Sequence, residues 1–373
     1  MAGETSPRTG VGVCFPEPKV KDLNWGRHDP DQIGWLERST RPQARGIRRH
    51  INENLAVLPA DATAALCRRF RTDPWRPVYF ELVVGRFLQL LGGTLEYEPA
   101  GGNRRKVDWR VSFADGSRCY VEATSPVSNA WVEEGAKARG PLLQIIEDFT
   151  APGWSAIVSH VPPLGPQDSR AEFRRTVRSI METLPDPSTV APGDRVDRVG
   201  QVSQGTIELG FRPGRYGTSA IVGSTGGGGW DDTALRIEDA IRDKRHQGRA
   251  FPGEVVLAID APFGDREDCD VAMFGRTYSV MDDELKVVEE GFRRDGALTR
   301  QAKVEYPAVL VFMGLGMFGG RDPVMYLHPR LDRVLPAAFD LLEQHRLDGD
   351  LIRREGAQRE RIIDGLNFAG REE

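Results

Sequence analysis

Asp108 and Glu122 are the residues whose types and spacing point at chemistry. They lie in Lys106-Val107-Asp108-Trp109-Arg110-Val111-Ser112-Phe113 and Ser117-Arg118-Cys119-Tyr120-Val121-Glu122-Ala123-Thr124, on either side of Ala114-Asp115-Gly116. Two strand-like runs around a turn read as a β-hairpin. A loop of Asp115-Gly116 alone would set Asp108 opposite Ala123 and send Glu122 to the other face. A loop of Ala114-Asp115-Gly116, closed by Gly116 in the left-handed region, sets Asp108 opposite Glu122. Directly opposed residues have Cβ atoms about 4.5–5.5 Å apart. Two carboxylates that close repel unless a cation or a proton lies between them. The three-residue loop therefore predicts a metal site, and the competing reading is two acids on a solvated sheet face.

The elements that must position these acids follow from periodicity. A helix is expected over 78–91, carrying Glu81 and stopped by Gly92-Gly93. A strand is expected over 94–98, then the hairpin, then a helix over 129–149 that Gly140-Pro141 breaks or kinks. A strand over 154–160 completes an α-β-β-β-α-β order. Residues 1–50 read as an N-terminal arm, 51–165 as this core, and 166–373 as a second α/β region packed on it. In that region helices are expected over 170–184, 234–247 and 268–274, and strands over 206–212, 219–224, 254–260, 308–313 and 324–328. A loop is expected over 185–200, and a C-terminal helix from about residue 331.

The α-β-β-β-α-β order, with Glu81 on the leading helix and Asp108 and Glu122 on the hairpin, resembles the PD-(D/E)XK superfamily of restriction-endonuclease-like phosphodiesterases. Phe80-Glu81-Leu82, Val107-Asp108-Trp109 and Val121-Glu122-Ala123-Thr124 also resemble a group of uncharacterised actinobacterial proteins with a Glu-Ala-Thr triplet. That second likeness runs on through Ile241-Arg242-Asp243-Lys244, Val255-Val256-Leu257-Ala258-Ile259 and His328-Pro329-Arg330. The resemblance implies a mixed sheet and Mg²⁺- or Mn²⁺-dependent hydrolysis of a phosphodiester. It implies Asp108 and Glu122 as metal ligands, with the Ala123 carbonyl beside them, and Glu81 as the ligand of a second metal or the orienter of a water, against a helix-surface acid or a partner to Arg110. It implies a nucleic-acid partner, DNA before RNA. Two positions depart from the family pattern: Val107 stands for its proline, and Thr124 for the lysine that positions or activates the attacking water. Thr124 would then orient a water or simply end the strand. A lysine from elsewhere would have to replace the missing one. Lys137 is the first candidate, against a plain ion pair with Glu133; Lys106 and Lys244 follow. The rival implication is a catalytically degenerate binding protein that kept the fold.

Composition narrows the classes. With 39% hydrophobic and 28% charged residues among 373, the chain reads as an ordinary globular protein. A net charge of −5 argues against a bulk polyanion binder but leaves room for a local basic groove. Arg38, Arg41, Arg45, Arg48 and Arg49, the stripe Arg170, Arg174, Arg178, and Arg104-Arg105-Lys106 are the basic candidates for phosphate contact, or else solvated faces. The four cysteines have no paired spacing, so neither zinc nor a disulfide framework is expected, and a cytoplasmic location is the default. The apolar run over 306–320 is too short and Gly-rich to span a membrane.

Three other motifs are weaker. Gly314-Leu315-Gly316-Met317-Phe318-Gly319 fits G-x-G-x-x-G, but another strand rather than a helix is expected to follow. The Gly226–Gly229 run lacks the Lys-Ser/Thr of a phosphate loop. Asp260, Asp265, Glu267, Asp268 and Asp270 read as a solvated acidic loop.

Overall fold

The computed structural model describes residues 13–18, 32–101, 106–126, 130–151, 153–162, 170–191, 193–213, 220–223, 233–245, 251–262, 264–281, 286–299, 306–316, 319–329, 334–356, 361–366 and 368, with backbone alone over 130–139 and 220–223. In chain order the helices are α1 (Gln32–Arg38), α2 (Pro42–Ala56), α3 (Ala60–Thr72), α4 (Trp75–Leu90), α5 (Ala130–Phe149), α6 (Arg170–Glu182), α7 (Thr233–Lys244) and α8 (Arg266–Phe274). The first strands are β1 (Thr94–Tyr97), β2 (Trp109–Ser112), β3 (Arg118–Thr124), β4 (Trp154–His160), β5 (Val196–Val202), β6 (Gly205–Pro213) and β7 (Ala220–Gly223). They continue as β8 (Val255–Ala261), β9 (Arg276–Met281), β10 (Val287–Arg293), β11 (Ala308–Met313), β12 (Val324–Leu327), β13 (Gln344–Asp348) and β14 (Leu351–Glu355).

The chain forms two compact units, and neither is the continuous block that residues 51–165 or 166–373 would make. The first comprises 1–17, 42–127 and 231–373; the second comprises 18–41 and 128–230. The first unit holds a mixed eight-stranded sheet in the order β1-β2-β3-β8-β11-β12-β13-β14. β1, β2 and β3 form an antiparallel meander, after which β3, β8 and β11 run parallel. β8 and β11 are buried at every position, as continuous apolar runs in a sheet covered on both faces should be. On one face α7 and α8 bring Ile237, Ile241, Met273 and Phe274 against Leu257, Ile259, Val309 and Val311. On the other, Phe80 and Phe87 of α4 meet the Phe312 ring edge-on at 5.3 and 5.4 Å. Gly85 lets α4 lie close against β2, because a Cβ there would lie 2.5 Å from the Trp109 ring.

The second unit has a four-stranded sheet in the order β5-β6-β4-β7. Its core is built from Leu142, Ile146, Trp154, Phe173, Val177, Leu209 and Phe211.

The structure corrects the sequence reading in several places. The helix and strand expected to complete the core after the hairpin, α5 and β4, belong to the second unit, and the strand beside β3 is β8. α5 runs through Pro141 without a break. The expected loop over 185–200 contains the start of β5. No helix begins near residue 331 among the described residues; a 3₁₀ turn (Ala337–Leu341) leads into the β13–β14 hairpin. The alternating burial of His345 and Leu347 was the period-2 signal for that strand.

Candidate functional site

The hairpin adopts the three-residue register. Trp109 pairs with Val121 and Ser112 with Arg118. Phe113 N donates to Ser117 O at 2.9 Å, and Gly116 closes the turn at φ +83°. Extending this register by one residue sets Asp108 opposite Glu122. Trp109, Val111 and Val121 are buried, which fixes the register, since a slip of one residue would turn them outward.

Each acid is held by a different device. Asp108 is half-buried, and its Oδ2 accepts the Ala123 N–H at 2.7 Å. Its carboxyl is held well above the ordinary carboxylate range, first by burial and then by the negative charges of Glu81 and Glu122. Glu122 is 4% exposed, and its Oε1 accepts from Lys244 Nζ at 2.6 Å. Glu81 is 3% exposed on the buried helix α4. Arg69 Nη1 donates to its two oxygens at 2.8 and 2.6 Å, and the Tyr97 hydroxyl donates to Oε1 at 2.7 Å. Burial nevertheless raises the Glu81 carboxyl above its ordinary range. The Trp109 indole N–H donates to the Glu81 carbonyl at 3.1 Å, tying α4 to the hairpin beside Asp108.

Lys244 is the last residue of α7, and the Tyr306 hydroxyl donates to its carbonyl. Thr124 ends β3 opposite Ile259, two residues from Glu122 and on the same strand face. The Lys244 ammonium thus reaches Glu122 from the end of α7.

Other candidates are placed elsewhere. Lys137 lies on α5 in the second unit, and its side chain is outside the described residues. Lys106 pairs with Glu98, and Arg110 with Glu96 rather than with Glu81. Arg104, Arg105 and the Gly226–Gly229 run lie outside the described residues. Gly316 and Gly319 bridge each other between β11 and β12, so no helix opens at the G-x-G-x-x-G stretch among the described residues.

No family model, curated protein or solved structure matches this chain. The residues themselves must therefore carry the functional argument. No helix among the described residues is long and apolar enough to cross a membrane. No group of three or more His, Cys, Asp or Glu side chains among the described residues is already arranged to hold a metal ion.

The acidic run is solvated only in part: Asp265 and Glu267 are exposed, whereas Asp260 and Asp270 are buried. Asp265 and Asp268 form the capping box of α8. Asp270 pairs with His345 Nδ1 at 2.8 Å and with Arg354 at 2.9 Å. Asp260 is 1% exposed at the end of β8 and takes a two-pronged bond from Arg76, Nε to Oδ2 at 2.5 Å and Nη2 to Oδ1 at 2.6 Å. Ser125 Oγ donates to the same carboxylate at 3.2 Å, and Arg76 also binds the Leu315 carbonyl at 2.9 Å. Arg76 therefore ties together the carboxyl ends of the parallel strands β3, β8 and β11, the edge of an open α/β sheet where ligands bind. Sequence reasoning missed Arg69, Tyr97 and Arg76, because their acid partners are brought to them only by the folded helix and sheet.

Proposed function

We propose that the first unit is a restriction-endonuclease-like, Mg²⁺- or Mn²⁺-dependent phosphodiesterase acting on nucleic acid, with DNA as the first substrate to test. The support begins with element order. An acid-bearing helix α4, the meander β1–β3 with its opposed acids, then α7 and the parallel strand β8 give α-β-β-β-α-β, with residues 128–230 of the second unit inserted between β3 and α7. The observation that carries the reading is Lys244 Nζ on Glu122 Oε1 at 2.6 Å. It returns a cation to the acid of the family motif by a route that leaves Thr124 in place.

The donor set fits a hard divalent cation. Asp108 and Glu122 offer carboxylate oxygens, and the Asp108 carboxyl is raised first by burial and then by the charges of Glu81 and Glu122. Asp108 and Glu122 would hold the cation with the Ala123 carbonyl, and Glu81 would adjust the field from behind. When bound, such an ion neutralises a phosphate oxygen and makes water easier to deprotonate. Lys244 then orients the attacking water and balances charge at the scissile phosphate. Thr124 presents its hydroxyl on the same strand face.

The second reading, a binding protein that has lost catalysis, is favoured by one observation: all three acids already bond within the protein, Glu81 to Arg69 and Tyr97, Asp108 to Ala123, and Glu122 to Lys244. Incubation of single- and double-stranded DNA and RNA with Mg²⁺ or Mn²⁺ separates the two. The nuclease reading expects cleavage that Asp108→Ala and Glu122→Ala abolish. Nucleic-acid binding without cleavage, indifferent to both changes, supports the second reading.

A further inference from the structure

The nuclease reading leaves the second unit without a role, and one surface of that unit points to one. α6 packs into the core of the unit through Phe173, Val177 and Ile180. Its other side carries Arg170, Arg174, Arg175 and Arg178, all exposed. Arg170, Arg174 and Arg178 stand four residues apart, so the row climbs about 6 Å per step along the helix. Arg175 lies beside the row and directly away from the buried side.

Like charges at this spacing weaken a helix unless something offsets them. Among the described residues nothing does. None of the four arginines forms a hydrogen bond or an ion pair there, and Arg178 only stacks over the Phe149 ring of α5, 5.0 Å from its centre. The two acids of α6 are placed otherwise. Glu172 accepts from Ser203 N at 3.1 Å and from Ser203 Oγ, and Glu182 is exposed at the far end of the helix. Other exposed arginines face acids: Arg195 Asp197, Arg266 Glu343, Arg294 Asp350 and Arg353 Asp348. The arginine-rich run over 38–49 is broken up, since Arg41 pairs with Asp148 and Arg48 is 1% exposed against Glu17.

The chemistry of the row selects its partner. Every cation in it is arginine, whose planar fork fits two phosphate oxygens at once. No large apolar side chain is exposed on α6. The face therefore lacks the apolar wedge that seats a helix in a bilayer surface and the apolar centre of a protein interface. A hydrophilic polymer with phosphates at regular intervals meets both conditions. We propose that this face of α6 grips the phosphate backbone of duplex DNA without regard to base sequence.

The test is fluorescence anisotropy of a short labelled duplex with the full chain in EDTA, so that neither divalent cation nor cleavage enters. Wild type should bind two duplexes of unrelated sequence equally, with an affinity that falls steeply between about 50 and 200 mM NaCl. Changing Arg170, Arg174, Arg175 and Arg178 together to Gln should reduce the slope of log affinity against log salt by about 3, the change for three to four lost phosphate contacts. Gln is close to Arg in helix propensity and removes the repulsion, so this variant should melt no lower than wild type. Arg174→Gln alone should reduce the slope by about 0.9. Lys at all four positions should keep the wild-type slope, because the charge is kept. An unchanged slope in the Gln variant overturns the proposal, and so does wild type that binds no duplex at the lower salt. Binding to phosphatidylserine vesicles in place of DNA would make α6 a membrane-facing surface and overturn it too. Wild type that shows the arginine-dependent slope but never cleaves DNA defeats the nuclease reading alone. Cleavage with an unchanged slope in the Gln variant defeats this proposal alone.

Discussion

Lys244 Nζ donates to Glu122 Oε1 across 2.6 Å although 122 residues separate the two in sequence. The acid belongs to a central strand, and the lysine ends the helix that precedes the neighbouring parallel strand. The pair is made through tertiary structure alone. Lys244→Ala is expected to lower cleavage at least ~100-fold, the range seen when one aimed charge is removed from a site. Thr124→Lys in that background should recover part of the loss, because position 124 shares the strand face of Glu122. Single-turnover cleavage rates check both. Full activity in Lys244→Ala removes Lys244 from the mechanism.

Asp108 makes stability depend on pH in a stated direction. Its folded pKa lies above the ordinary value of 3.8, so the folded state binds the proton more tightly than the unfolded chain does. Its contribution is fully present below the unfolded pKa and is lost as pH rises through the folded one. Asp108→Asn keeps an acceptor for the Ala123 N–H and removes the charge. It should raise the melting temperature at neutral pH, a gain that shrinks toward pH 4. Thermal melts across pH 4–8 measure this, and a variant less stable than wild type at pH 7 contradicts it.

Cation binding should relieve the same repulsion. Mn²⁺ at about 100 times its dissociation constant would stabilise the fold by about 2.7 kcal/mol. Because Asp108 must give up its proton, binding at mildly acidic pH should release protons. Calorimetry in two buffers of different ionisation enthalpy reports that release. Asp108→Asn should lose both the proton release and most of the heat.

Arg76 and Asp260 test the sheet edge next to the site. Arg76→Met leaves a carboxylate that is 1% exposed without its two-pronged partner. Breaking a fully buried pair costs about 3–5 kcal/mol, and the partial exposure of Arg76 brings the expectation down to about 2–3 kcal/mol. Adding Asp260→Asn should recover part of the loss, as urea melts of the two variants and the double variant would show.

Gly85 tests the packing that seats Glu81. Gly85→Ala would set a methyl 2.5 Å from the Trp109 ring, so either the ring or α4 must shift. A loss of about 1–3 kcal/mol is expected despite alanine's better helix propensity. A stabilised variant would show that α4 and the hairpin do not pack as described.

The hairpin register was legible in the sequence because turn chemistry and alternating burial both specify it locally. Gly116 suits the left-handed closing position, and the buried Trp109, Val111 and Val121 share one strand face. The cation was not legible, since α7 follows the hairpin only after residues 128–230 of the second unit. The same insertion made α5 and β4 seem the next pieces of the sheet: order along the chain was taken for adjacency in space. Arg69 and Arg76 were invisible for a related reason, since each meets its acid only across packed elements. The C-terminal hairpin was misread although His345 and Leu347 carried its period, with Gly349 at the turn.

The most direct test of the account is cleavage of linear duplex DNA by the full chain in Mn²⁺, compared among wild type, Asp108→Ala, Glu122→Ala and Lys244→Ala, with far-UV spectra confirming that each is folded. The account predicts wild-type cleavage that needs the cation and falls at least ~100-fold in every variant. Cleavage that persists in folded Asp108→Ala and Glu122→Ala would contradict it.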